Sequence, residues 1–191
     1  TEAPRSGPAV ILALEWVADQ QDEADSTLES LKQWLPDLES LARKNGAHVA
    51  PGGGAKLYLI FSAGEQAGLT DALGGLRTLL DQRSDPPAMA LANGDIVSAD
   101  LNLGPTRSPV IAGRPVFHCE RLLAEAGPRR LLISPPAHKQ LGSRLKRSGA
   151  GTEIIEGLRS QKRFYELKPW PQTDEAAATL PTAGESSIPP G

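Results

Sequence analysis

The chain has 191 residues, enough for one domain with a sizeable core and short flanking segments. Its 39% hydrophobic and 23% charged residues are ordinary for a globular protein, but aromatics are only 4%, so Leu, Val, Ile and Ala must build the core. A net charge of −3 argues against nucleic acid as the main partner, one cysteine excludes an internal disulfide and suits a reducing compartment, and no apolar run reaches the ~18 residues of a spanning helix.

Residues 1–8 begin without Met, show no signal-peptide pattern and read as linker. This leads to the expectation of a cytoplasmic domain belonging to a longer, membrane-anchored parent. Ala9 to Val17 is a short apolar run and predicts a buried strand. Ser26 and Glu29 have the spacing of a capping box, and Leu28, Leu31, Leu35, Leu38 and Leu41 follow at helical spacing. Pro36 predicts a kink in that helix, and Asn45-Gly46 its end. His48–Ala50 and Lys56–Phe61 read as strands joined by the turn Pro51-Gly52-Gly53-Gly54.

A second helix is expected over Gln66–Leu80, weakened by Gly74-Gly75. Met89–Val97 and Pro109–Ala112 read as strands with a polar loop between them. Pro115–Ala126 predicts a third helix ended by Gly127, and Arg130–Ile133 a strand. Pro135-Pro136 suits the first turn of a short helix. Glu153–Glu156 and Arg163–Leu167 complete the strands, and residues 169–191, rich in Pro, Ala, Ser and Thr, are expected to be a disordered tail after a domain spanning 9–168. The order predicts an α+β fold: a ferredoxin-like β-α-β-β-α-β core extended to a mixed, largely antiparallel sheet with helices packed on it.

The segment Gly113-Arg114-Pro115-Val116-Phe117-His118-Cys119-Glu120-Arg121-Leu122, followed by Leu131-Leu132-Ile133-Ser134, resembles the G-x-x-V-N-x-A-x-R-L…ILxS signature of class III adenylyl and guanylyl cyclase domains. Three more stretches resemble that family in order: Val10 to Trp16, Leu41 to Phe61, and Ala90 to Val97. The resemblance covers roughly residues 9 to 167 and implies a head-to-tail homodimer with its site between subunits. It also implies two metal-holding Asp residues, which fall on Glu15 and Ala55. Base-reading positions fall on Pro51 and Val110, the nucleotide-facing Asn on Phe117, its Arg on Arg121, and a phosphate-contacting Lys near Glu156.

Two-metal cyclisation needs carboxylate oxygens on hard cations, and Ala55 offers none. Only Glu15 and Arg121 keep the family's chemical type, so these positions read as vestigial, with no catalytic residue, metal or cofactor expected. A lone Glu15 reads as an acid facing water at a strand end, and Arg121 as a salt bridge or solvated helix face. The Phe117 ring is expected to fill the nucleotide cleft. Gly52-Gly53-Gly54 lacks the remainder of a phosphate-binding loop. His118-Cys119 has no second thiolate partner, and His48 and His138 stand alone in the sequence. Arg129-Arg130 and Arg144, Lys146 and Arg147 read as solvated basic clusters.

The resemblance therefore implies an inactive cyclase-like domain used for dimerisation or for binding another protein, within a larger signalling protein. Two alternatives are open. One is a divergent cyclase using Mg²⁺ or Mn²⁺ on Glu15 with Asp95, or on a site completed by groups from a partner subunit, and the other is a pseudoenzyme that binds a nucleotide.

Overall fold

The computed structural model describes residues 5–17, 24–103, 106–147, 153–159 and 162–168. In chain order the elements are β1 (Arg5–Glu15), α1 (Ala24–Lys44), β2 (His48–Pro51), β3 (Lys56–Ser62), α2 (Gly68–Gln82) and β4 (Ala88–Leu103). They continue with β5 (Thr106–Gly113), α3 (Arg114–Leu123), β6 (Leu131–Ile133), α4 (Pro135–Arg147), β7 (Glu153–Arg159) and β8 (Lys162–Lys168). The strands form one sheet in the order β2-β3-β1-β4-β6-β8-β7, with β5 paired to β4 off that path. β4 and β6 run parallel, and every other described pairing is antiparallel. The first six elements form the expected ferredoxin-like motif, and the whole is the expected α+β fold.

β1 is the spine. It pairs along its length with β4 and over Ala9–Glu15 with β3, and over Ala9–Leu14 it is buried on both faces, which is why that stretch is a continuous apolar run without alternation. Val10, Leu12 and Leu14 point to a thick layer where α1, α2 and α4 contribute Trp34, Leu38, Leu73, Leu76, Leu141 and Leu145. Ala9, Ile11 and Ala13 point the other way, onto α3, whose Cys119, Leu122 and Leu123 are buried there. That face is lined with small residues, Ala50, Ala88, Ala90 and Ala92 among them, so one helix can approach the sheet closely.

Several boundaries differ from the sequence-based expectation. β1 begins at Arg5, inside the stretch read as linker, because Arg5–Pro8 pair with Asp95–Ser98. α1 begins at Ala24, which places Ser26 inside its first turn rather than at its cap, and it continues through Pro36 to Lys44. The expected loop after Val97 is instead mostly ladder: β4 and β5 pair from Ile96↔Gly113 to Leu103↔Thr106. α3 stops at Leu123, short of Gly127, and α4 is a full 13-residue helix. Residues 169–191 lie outside the described residues.

At the end of β1, Trp16 Nε1 donates to the Asp85 carbonyl and Trp34 Nε1 to the Asp85 carboxylate, each at 3.2 Å, with the two rings edge-to-face. Arg83 lies over Trp34 and pairs with Asp37. These contacts tie the α2–β4 loop to the strand end that carries Glu15.

The turn into α3 depends on Gly113. Its φ is 143°, and a Cβ there would lie 2.5 Å from the Asp95 carbonyl oxygen. Gly113→Ala is expected to cost about 1–3 kcal/mol, read as a lowered urea midpoint with unchanged slope.

Candidate functional site

β1 and β3 end side by side, so Glu15 is cross-strand neighbour to Lys56, and the Trp16 N–H donates to the Ala55 carbonyl at 3.0 Å. The structure thus brings together the two positions, 15 and 55, that sequence reasoning paired. Ala55 packs toward the α1–α2 layer. Glu15, Lys56 and Tyr58 alternate onto the opposite face, beneath α3. There Glu120 reaches down from the helix. Lys56 Nζ lies 3.5 Å from Glu15 Oε1 and donates to Glu120 Oε2, while the Tyr58 hydroxyl donates to Glu120 Oε1. The Lys56 side chain is 16% exposed and that of Glu15 24%. Glu15 is therefore not an acid facing open water, as expected from sequence, but one side of a half-buried ion cluster.

Burial works against charge on both partners, and the contacts outweigh it. For Lys56, desolvation is opposed by the Glu120 hydrogen bond and by the charges of Glu15 and Glu120, and the ammonium is held above its ordinary range. For Glu120, desolvation is opposed by the Lys56 and Tyr58 hydrogen bonds and the Lys56 charge, and the carboxyl is held below its ordinary range. Burial, then the Glu120 hydrogen bond, pushes the Tyr58 phenol well up. All three groups stay in the protonation state that suits the cluster at neutral pH.

The other singled-out residues lie elsewhere. Phe117 is 60% exposed on α3, so within one chain it fills no cleft, and it is covered on one side by the Arg121 guanidinium 5.5 Å from its ring centre. Arg121 is itself exposed. Pro51 is exposed at the end of β2 and Val110 is exposed on β5, which passes close to β2. Asp95 pairs with Pro8 while Glu15 pairs with Ala88. Seven residues of β1, roughly 23 Å, separate them, so Asp95 cannot complete a metal site with Glu15. Glu156 is ion-paired to Arg163 at 2.7 Å.

His138 stacks on Tyr165 with ring centres 3.7 Å apart. Burial, then Arg121 and Arg114, lowers the His118 imidazole. Among the described residues no group of three His, Cys, Asp or Glu side chains is placed to hold a metal. Arg129-Arg130 is not simply solvated: Arg129 donates to the Arg83 carbonyl, and Arg130 grips Glu166 with two hydrogen bonds. Sequence reasoning missed Lys56, Tyr58 and Glu120. The available signal was Lys56 itself, a cation directly after the position where a metal carboxylate was sought.

No protein-family model matches the sequence, and no curated protein matches it either. Solved structures do match. The adenylate/guanylate cyclase/hydrolase from Silicibacter pomeroyi is similar at 18% identity and TM-score 0.66, over 87% of this chain and 99% of its own. A non-canonical dimeric guanylyl cyclase domain of the RhoGC fusion protein from the aquatic fungus Blastocladiella emersonii matches at 10% identity and TM-score 0.65, over 88% and 98%. The adenylyl cyclase CyaB from P. aeruginosa matches at 13% and 0.58, over 86% and 95%. The chain has the fold of class III nucleotidyl cyclase catalytic domains.

Two outcomes follow from the cluster and its surroundings. Lys56 contributes fully below its unfolded value of 10.5 and loses that contribution as pH rises through its higher folded value, while Glu120 contributes above 4.5 and loses it as pH falls through its lower folded value. Glu120→Gln should therefore cost about 1–2 kcal/mol near neutrality, between the values for exposed and buried pairs. In urea denaturation across pH, that gap should hold from mildly acidic to mildly basic conditions and close in strong acid. Cys119 is fully buried beneath α3 and its thiol is pushed well up by burial, so iodoacetamide at about pH 8 should label it only in denaturant.

Proposed function

We propose that this is a cyclase-fold domain without cyclase activity, serving as a dimerisation or protein-interaction module in a larger signalling protein. The observation that carries the reading is the strand end at β1 and β3. Of the two positions that the cyclase resemblance assigns to metal carboxylates, one is Ala55, and the other, Glu15, is already met by the Lys56 ammonium. Ala55 supplies no carboxylate for the second metal, and the Glu120 carboxylate beside Glu15 is held by Lys56 and Tyr58. The replacement of the transition-state Asn by Phe117 removes a further donor of the kind worth about 3 kcal/mol. The exposed apolar residues Phe117, Val97 and Val110 support a surface role. A solved neighbour of the same fold is described as a non-canonical dimer, which makes a homodimer, of whatever arrangement, the first partner to test.

The parent protein is expected to be membrane-anchored with this domain on the cytoplasmic side; no described helix is long and apolar enough to cross a membrane. A nucleotide-binding pseudoenzyme is the second reading, favoured by one observation: Arg121, at the family's nucleotide-facing position, is exposed on α3. Mg²⁺ or Mn²⁺ belongs only to the divergent-enzyme alternative.

Incubation with ATP or GTP and Mn²⁺ should give no cyclic nucleotide above the blank. Turnover that Glu15→Ala abolishes would restore the enzyme. Light scattering after size exclusion should show a concentration-dependent dimer; a strict monomer would remove the homodimer. Calorimetry with ATP, GTP and cyclic nucleotides should be flat, and binding lost in Arg121→Ala would establish the second reading.

A further inference from the structure

The resemblance implies a divalent metal at the strand end, and the residues present do not fit one. Glu15 and Glu120 approach from two elements, a strand and a helix, with oxygen donors that hard cations favour. A cation already stands between them, and it belongs to the chain. Lys56 Nζ is 3.5 Å from Glu15 and hydrogen-bonded to Glu120, whose other oxygen is held by the Tyr58 hydroxyl. A divalent ion here would meet the ammonium at short range, where like charges repel strongly outside bulk water.

We infer that Lys56 is a tethered counter-ion that closes a latent divalent-cation site formed by Glu15 and Glu120. Two carboxylates and one ammonium leave a single negative charge, a poor match for Mg²⁺ or Mn²⁺. Without the ammonium, the same pair carries two negative charges on side chains that both meet the Lys56 nitrogen. Glu120 lies at an unspecified position of the cyclase-like signature, so this site differs in composition from the Asp pair that the resemblance implies. The inference shares one premise with the proposed function, that Glu15 holds no metal in the wild type.

The test is a calorimetric titration of Mn²⁺ into the wild-type chain, Lys56→Met and Lys56→Met/Glu120→Gln, each confirmed as folded by circular dichroism. The wild type should give no binding heat, Lys56→Met should bind at least about tenfold more tightly, and the double variant should lose that gain. Binding by the wild type as tight as by Lys56→Met would overturn the inference, as would a folded Lys56→Met that binds nothing. If the variant does not fold, the wild type still decides. Its lysine ammonium NMR spectrum should show a slowly exchanging signal assigned to Lys56 that Mg²⁺ neither shifts nor broadens; absence or displacement of that signal overturns the inference. Cyclic nucleotide made by a wild type whose titration stays flat would sink the proposed function alone. Binding heat in the wild type without turnover would sink this inference while leaving the absence of cyclase activity standing.

Discussion

β1 has no side facing water over Ala9–Leu14, and every neighbour must accommodate that. Its large residues, Val10, Leu12 and Leu14, need a deep layer, which three helices supply. Its other face carries Ala9, Ile11 and Ala13 and admits only a close, single helix. Dispersion and burial of this kind are lost steeply when a core side chain is shortened, because the cavity adds to the transfer cost. The position of α3, and so of everything it carries, follows from that shallow face.

The burial of β1 ends at Glu15, and the polar requirement begins there. An acid at the edge of a dry layer is costly to leave without a partner. Lys56, opposite on β3, provides one, and it is shared with Glu120 from the helix above. Three elements therefore meet through charge where the apolar packing stops. Tyr58, one alternation further in, satisfies the remaining Glu120 oxygen with its hydroxyl while its ring remains in the apolar layer.

Much of the architecture was legible in the chain. A two-face-buried strand reads as an uninterrupted apolar run, and β1 does; the Leu spacing of α1 and the glycine turn after Pro51 were equally direct. The β4–β5 ladder was not: Ser98 to Leu103 does alternate polar with apolar residues, but the sequence Gly104-Pro105 and the polar run Thr106-Arg107-Ser108 after it carry no such pattern, so the start of the partner strand went unread. The helix starts were displaced by one or two residues from the capping signals, as at Ser26, which lies exposed in the first turn of α1. At the site, positions 15 and 55 were found through a motif and do come together. The ion cluster was not, since Lys56 and Glu120 are 64 residues apart and no local pattern links a strand residue to a helix that folds over it later.

The Lys56 contact also bears on how this strand end behaves in different media. A metal ion in such a place would make the junction of β1, β3 and α3 depend on ionic supply, loosening under chelators or scarcity. Here the balancing charge is part of the polypeptide: it arrives with translation, cannot be stripped by a competing ligand, and keeps the same stoichiometry in every cell.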